Sequence, residues 1–282
     1  MKVLISNILL EQVQTKSLRI KDTLRDIFCS MQKVMIYLSL LTVCSSSFAD
    51  KFVEQSVKIT ALDGFVLSAQ LVPGAKGAAG VLLLHDCQHS AENYSALYAA
   101  LSQQGLHVLA LDLRGYGRSQ NGIYSQAKIR QQADDIVGYQ GELAALMLHW
   151  RKDVFKAFQY LKTQMKNNQT ISIVTSGCSS NQAIYLAEKT AIKSIVMLSP
   201  ELSYGDKEQF KTLADMPIYL ISAKHQTKAM LNTRELFDWN GDAHSMLQVL
   251  KGDASSYYLL KHQSYLNDHI ATWLSSTLIN NE

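Results

Sequence analysis

Few side chains in this sequence have the capacity for covalent or acid–base chemistry: four cysteines, eight histidines and a scatter of serines. A cysteine attacks only as its thiolate, which needs a base nearby, and otherwise it packs or pairs. No H-E-x-x-H or C-x-x-C spacing suggests a metal. Gly115-Tyr116-Gly117 is a G-x-G lacking the third glycine and the acidic partner of a dinucleotide loop. Neither a metal nor a cofactor is expected. His244 falls in a polar loop, and His262 and His269 fall in a C-terminal helical pattern, where imidazoles are ordinarily solvated. His85 and His225 each follow an apolar run, beside Cys29, Cys44, Cys87 and Cys178.

Composition narrows the setting. The 282 residues are 47% hydrophobic, with 27 Lys+Arg against 24 Asp+Glu, which is globular and neither fibrous nor disordered. The basic excess lies in residues 1–49, which hold six basic and three acidic side chains and leave 21 of each sign in 50–282. A neutral body without a basic, aromatic-laced motif argues against nucleic-acid binding. Residues 31–49 run from Met-Gln-Lys through an apolar core to Ser47-Phe48-Ala49, with Asp50 following. That is the anatomy of a cleaved export signal, and the apolar run is about half of the ~20 residues that span a bilayer. Residues 1–30 then read as an upstream extension, Met31 as the start, and 50–282 as a periplasmic or secreted domain without a membrane span. Cys29 and Cys44 leave with the signal. Cys87 and Cys178 remain, in an oxidising compartment that favours a disulfide.

These residues must be positioned by something. Strand-like runs fall at 57–60, 66–71, 80–84, 107–111, 171–175, 195–198, 218–222 and 246–250. Helix-like stretches fall at 92–104, 154–165, 180–190, 233–238 and 259–278, and 120–150 reads as a small helical cap. Strands alternating with helices predict one mostly parallel sheet of about eight strands with helices on both faces. The first two strands, around Asp63-Gly64, read as an antiparallel hairpin.

Val81-Leu-Leu-Leu-His85-Asp86-Cys87, followed by Leu111-Asp112-Leu-Arg-Gly115-Tyr-Gly117-Arg-Ser119, resembles the first half of an α/β-hydrolase. More narrowly it is similar to the dienelactone-hydrolase-like and acyl-peptidase-like branch. The likeness continues through Trp150, Asp153, Leu198-Ser199-Pro200 and Pro217–Ser222 to Trp273-Leu274. It implies an α/β-hydrolase fold. It also implies a nucleophile on a G-x-S-x-G elbow, a histidine base oriented by an acid, and two backbone amides that hold the oxyanion.

Each of those triad positions is replaced here. In Thr175-Ser176-Gly177-Cys178-Ser179 the nucleophile position falls on Gly177. The acid position, in Ala223-Lys224-His225-Gln226, falls on Gln226. The base position, in Gly252-Asp-Ala-Ser255-Ser256, falls on Ser255. The resemblance therefore implies an exported pseudoenzyme that binds a small apolar or acyl ligand, or a protein partner over the cap. The alternative is an active esterase or thioesterase with Cys178 displaced onto the elbow tip, His225 as base and Glu201 as its orienter. Such a slip moves the strand's side chains to the wrong faces. Cys87 and Cys178 also occupy the two positions whose amides form the oxyanion site in active relatives. Those amides converge on one oxygen, so a Cys87–Cys178 disulfide across the site is expected. The export reading predicts that the intact mass of the secreted or periplasmic protein begins at Asp50; a mass retaining residues 31–49 would overturn it.

Overall fold

In the computed structural model, residues 53–165 and 170–279 are described; all belong to the compact unit Phe52–Glu282. The export signal and the upstream extension lie outside the described residues. Eight strands form one sheet: β1 Gln55–Thr60, β2 Val66–Val72, β3 Gly80–Leu84, β4 His107–Asp112, β5 Ile171–Ser176, β6 Ile192–Leu198, β7 Ile218–Ala223 and β8 Met246–Leu250. Their order is β1-β2-β4-β3-β5-β6-β7-β8. β1 pairs antiparallel with β2, β2 antiparallel with β4, and every later pair is parallel.

The central strands are apolar on both sides because both faces are covered. Side chains alternate with a period of two. Leu82, Leu84, Leu109, Ile173 and Met197 therefore face Trp150, Val154, Phe158 and Leu161 of α4 (Trp150–Gln164), together with α5 (Ser180–Lys189). Val81, Leu83, Val108, Val174 and Val196 face α1 (Ser95–Gln103) and Leu266, Ile270 and Leu274 of α9 (Tyr265–Ile279). Between α1 and α4, α2 (Gln126–Gln132) and α3 (Ile136–Met147) form the small cap.

Two helical expectations change, and one helix is added. The stretch 233–238 is the second half of the longer α7, Thr227–Trp239. The C-terminal stretch is two helices, α8 (Tyr257–His262) and α9, because Gln263 leaves helical geometry at φ −128°, ψ 73°. A short helix, α6 (Tyr204–Phe210), starts at a reciprocal cap in which Ser203 and Asp206 bond each other's backbone amides.

The string from Asp112 to Ser119 fastens the loop after β4. The Asp112 carboxylate accepts from Ala91 N and Arg118 N, each at 2.9 Å. A Cβ on Gly117 (φ +48°) would lie 2.3 Å from that carboxylate, so only glycine fits there. The Ser119 hydroxyl accepts from Ser68 N at 2.7 Å. The buried Arg114 guanidinium forks onto Asp153 at 2.7 and 2.8 Å and onto Asp63 at 2.6 and 2.9 Å. It lies over the Phe65 ring at 4.4 Å, and its carbonyl accepts from Trp150 Nε1 at 3.1 Å. One side chain thus ties the β1–β2 hairpin, the β4 loop and α4 together.

Because Asp153 is fully buried and Asp63 half exposed, Arg114→Met strands the Asp153 charge. It should cost about 3–5 kcal/mol in urea unfolding. The pair Arg114→Met with Asp153→Leu should cost less than the single change, and an equal or larger loss would refute the buried-charge account.

Candidate functional site

The loops after β3, β5, β6 and β8 meet at the C-terminal edge of the sheet, where open parallel sheets place their ligands. β5 ends at Ser176, and a tight turn hands the chain to α5. The left-handed residue of that turn is Gly177, at φ +53°. Ser179 Oγ accepts from Ser176 N, Ser180 Oγ donates to Gly177 O at 2.7 Å, and Glu201 N donates to the same carbonyl at 3.2 Å. The elbow is closely held.

At its tip, a Cβ on Gly177 would meet Ser256 Oγ at 2.8 Å, Asp86 Cβ at 3.3 Å and Glu201 Oε1 at 3.5 Å. Ser256 is buried and itself left-handed (φ +53°), with its amide donating to Ser199 Oγ at 2.9 Å. The neighbour of the elbow from the β8 loop is therefore Ser256, one residue beyond Ser255. Burying the Ser256 amide on Ser199 selects that residue, a tertiary contact that a motif alignment does not contain. Gln226 turns away, its side-chain amide donating to Asp253 O. His225 is exposed, with its amide on Gly252 O at 3.0 Å.

Cys178 follows the left-handed residue and does not occupy the tip. Its sulfur is bonded to Cys87, with Cα atoms 5.9 Å apart. The bond joins the β3 loop to the elbow and leaves no thiol there, so the arrangement of Cys178, His225 and Glu201 as nucleophile, base and orienter is not assembled. Glu201 reaches the elbow from the other side. The residue as a whole is exposed, while burial around the carboxyl raises its pKa, against the pull of Lys228.

Asp86 is the centre of the site, and motif reasoning passed over it. Its carboxylate accepts from Gln88 N at 2.8 Å, His89 Nδ1 at 2.7 Å, the Tyr94 hydroxyl at 2.8 Å and Tyr257 N at 3.2 Å. Burial opposes its ionisation, but the Gln88 amide, His89 and Tyr94 outweigh burial and hold the carboxyl below the usual range. Tyr94 also meets Ser176 Oγ at 2.8 Å; burial first, and then Asp86, push its hydroxyl far above the ordinary value. A polar residue between a β3-end histidine and a cysteine, with a tyrosine eight positions on, was the available signal.

His85 is structural. Leu113 N donates to its Nε2 at 3.0 Å, so the ring proton sits on Nδ1 and reaches Asp86 O at 2.6 Å. Burial lowers its pKa and keeps it neutral. His89 stacks on Tyr257, with centroids 4.5 Å apart.

Between the Cys87–Gln88 wall and the cap lies a cleft of about 620 Å³, lined also by Tyr116, Arg130, Ile136 and Tyr139. Its lining mixes polar and apolar groups, so it is less apolar than the pocket expected above. Trp150 is wholly buried, its Nε1 donating to Arg114 O. Among the described residues, no group of histidine, cysteine, aspartate and glutamate could hold a metal ion, and no helix is long and apolar enough to cross a membrane.

A family model described as serine aminopeptidase, S33 matches residues 75–253, more than half of the chain. The chain belongs to the serine aminopeptidase S33 family of α/β-hydrolases. No curated protein matches it significantly. Solved structures share the fold at low identity. An esterase from Pyrococcus furiosus superposes with a TM-score of 0.58 at 16% identity, over 80% of this chain and 92% of that one. The esterase domain of a Rhodothermus marinus protein gives 0.57 at 14%, over 79% and 99%. A dienelactone hydrolase from Anabaena variabilis gives 0.54 at 15%, over 79% and 95%. Within the S33 scaffold, this chain sets a glycine where the elbow turns left-handed.

Reduction should release two thiols in the described domain. Replacing Cys87 and Cys178 by serine opens a link across 91 residues and should cost about 2–5 kcal/mol of unfolding free energy. Unchanged urea midpoints would show that the bond contributes nothing.

Proposed function

We propose that this S33-family protein is an exported binding protein that has lost acyl-transfer chemistry, and that it takes a small apolar or acyl ligand in the cleft beside the elbow. The observation that carries this reading is Gly177: the left-handed elbow residue has no side chain to attack with, and the buried Ser256 hydroxyl fills the space beside it.

Electrostatics points the same way. Acyl transfer builds negative charge on an oxygen, and enzymes meet it with donors. Here an ionised Asp86 sits directly beside the elbow. Like charges brought together in a site of low effective dielectric repel. A fixed anion at that place raises the barrier that the fold ordinarily lowers. The Cys87–Cys178 bond and the signal-like residues 31–49 support export. A protein partner on the cap is the second reading, favoured by the exposed Ile123, Ile136, Val137 and Leu148.

The test is a panel of short-chain p-nitrophenyl esters and thioesters against the full chain. No turnover above the uncatalysed rate is expected. Gly177→Ser should not create any, and should cost about 1–2 kcal/mol for a left-handed serine whose Cβ lies 2.8 Å from Ser256 Oγ. Turnover that disappears in Ser256→Ala or His89→Ala would overturn the reading.

A further inference from the structure

The cleft under the cap is built asymmetrically. Tyr116 is 6% exposed, yet its hydroxyl has no hydrogen-bond partner, and it lines the cleft. A buried hydroxyl without a partner loses the bonds that water gave it, at a cost of about 1–3 kcal/mol. Burial pushes its ionisation far upward, so it keeps its proton and stays a donor.

Opposite stands Tyr139. Its oxygen accepts from Gln126 Nε2 at 2.9 Å, which leaves its own proton to donate. Arg130, in the last turn of α2, lines the same cleft, and no acidic partner lies within salt-bridge distance among the described residues. Asp135 also lines the cleft but is occupied as the cap of α3, accepting from Gly138 N at 2.7 Å. Two hydroxyls and a guanidinium thus line one cleft with donor capacity that no partner among the described residues takes up. Cys87 on the β3 loop and Ala133 and Ile136 on the cap add apolar lining.

We infer that the cleft binds a small carboxylic acid in its ionised form, with the carboxylate received by Arg130, Tyr139 and Tyr116 and the apolar body against Cys87 and Ile136. The orientation follows from charge. Asp86 lies behind the Cys87–Gln88 wall, so an anionic head is repelled there and drawn to Arg130. This inference rests on the binding reading above and names its ligand class: an acyl group carried as the free acid.

Hexanoate and hexanamide, alike in shape and different in charge, are the probes, titrated calorimetrically against the full chain at millimolar concentration. Hexanoate should bind saturably and at least about tenfold more tightly than the amide, as charge-assisted bonds to guanidinium require. Arg130→Gln should erase that preference while leaving the melting temperature of the free protein unchanged, because Arg130 is exposed. Tyr116→Phe should weaken hexanoate about fivefold without lowering the free protein's melting temperature, since the hydroxyl it removes has no partner to lose. Equal binding of amide and acid, or full hexanoate affinity in Arg130→Gln, overturns the carboxylate assignment and leaves a binding cleft standing. Absence of saturable binding by either probe also overturns it. The ester panel judges the loss of turnover separately, so the two readings can fail independently.

Discussion

A buried carboxylate must be surrounded by donors, and the C-terminal edge of this sheet is organised around that requirement at Asp86. Its oxygens collect the Gln88 amide and His89 from their own loop, the Tyr94 hydroxyl from the turn that opens α1, and the Tyr257 amide from the start of α8. Tyr94 passes the connection on to Ser176, the last residue of β5. Residues 86–94 and the start of α8 meet on one carboxylate, and Tyr94 joins the end of β5 to them. Removing any donor would leave part of that charge unpaired in a low-dielectric surrounding, so the network holds as a unit. The disulfide adds a covalent link across the same gap, from Cys87 on the β3 loop to Cys178 on the elbow.

This arrangement answers a different demand from that of a hydrolase elbow. Such an elbow holds a strained residue so that its side chain stands exposed above the sheet, with amides ready for a negative oxygen. Here the left-handed geometry persists at Gly177, but glycine adopts it without strain. The freed space is taken by Ser256 and flanked by the Asp86 Cβ and a Glu201 carboxyl oxygen. The backbone of the family is kept, with glycine at the elbow. Function lives in the site and not in the fold, and the proposed binding role rests on Gly177 at the elbow with Asp86 and Ser256 beside it.

The same logic separates the two ends of the cleft. At the sheet, Asp86 is fully satisfied by its own neighbours. At the cap, Tyr116, Tyr139 and Arg130 hold donor capacity that the chain itself does not use. Opening the cap side to solvent costs little, because α2 and α3 bury few of their side chains. Most of the stability is supplied elsewhere, by the apolar faces of the sheet and by the Arg114 clamp.

Much of the fold was legible in the residues. Short uninterrupted apolar runs such as Val81–Leu84, alternating with amphipathic stretches, suit strands covered on both faces, and all eight runs became strands. The Asp112–Ser119 string carried the family resemblance because each of its residues fastens a backbone group. What stayed hidden were helix limits set by packing, as at Gln263, and α6, whose Ser203–Asp206 cap was visible but unread. In the site, Gly177 and the cysteine pair could be placed from the sequence, since a turn and a family pattern fix them locally. Asp86, Ser256 and the orphaned Tyr116 hydroxyl could not. Their roles depend on which distant groups the folded chain brings within about 3 Å, and hydrogen-bond partners 57 or 171 residues apart leave no local pattern. Local geometry and hydrophobic periodicity were thus determined by the sequence itself. The pairing of buried polar groups, and with it the electrical character of the site, was decided only by tertiary structure.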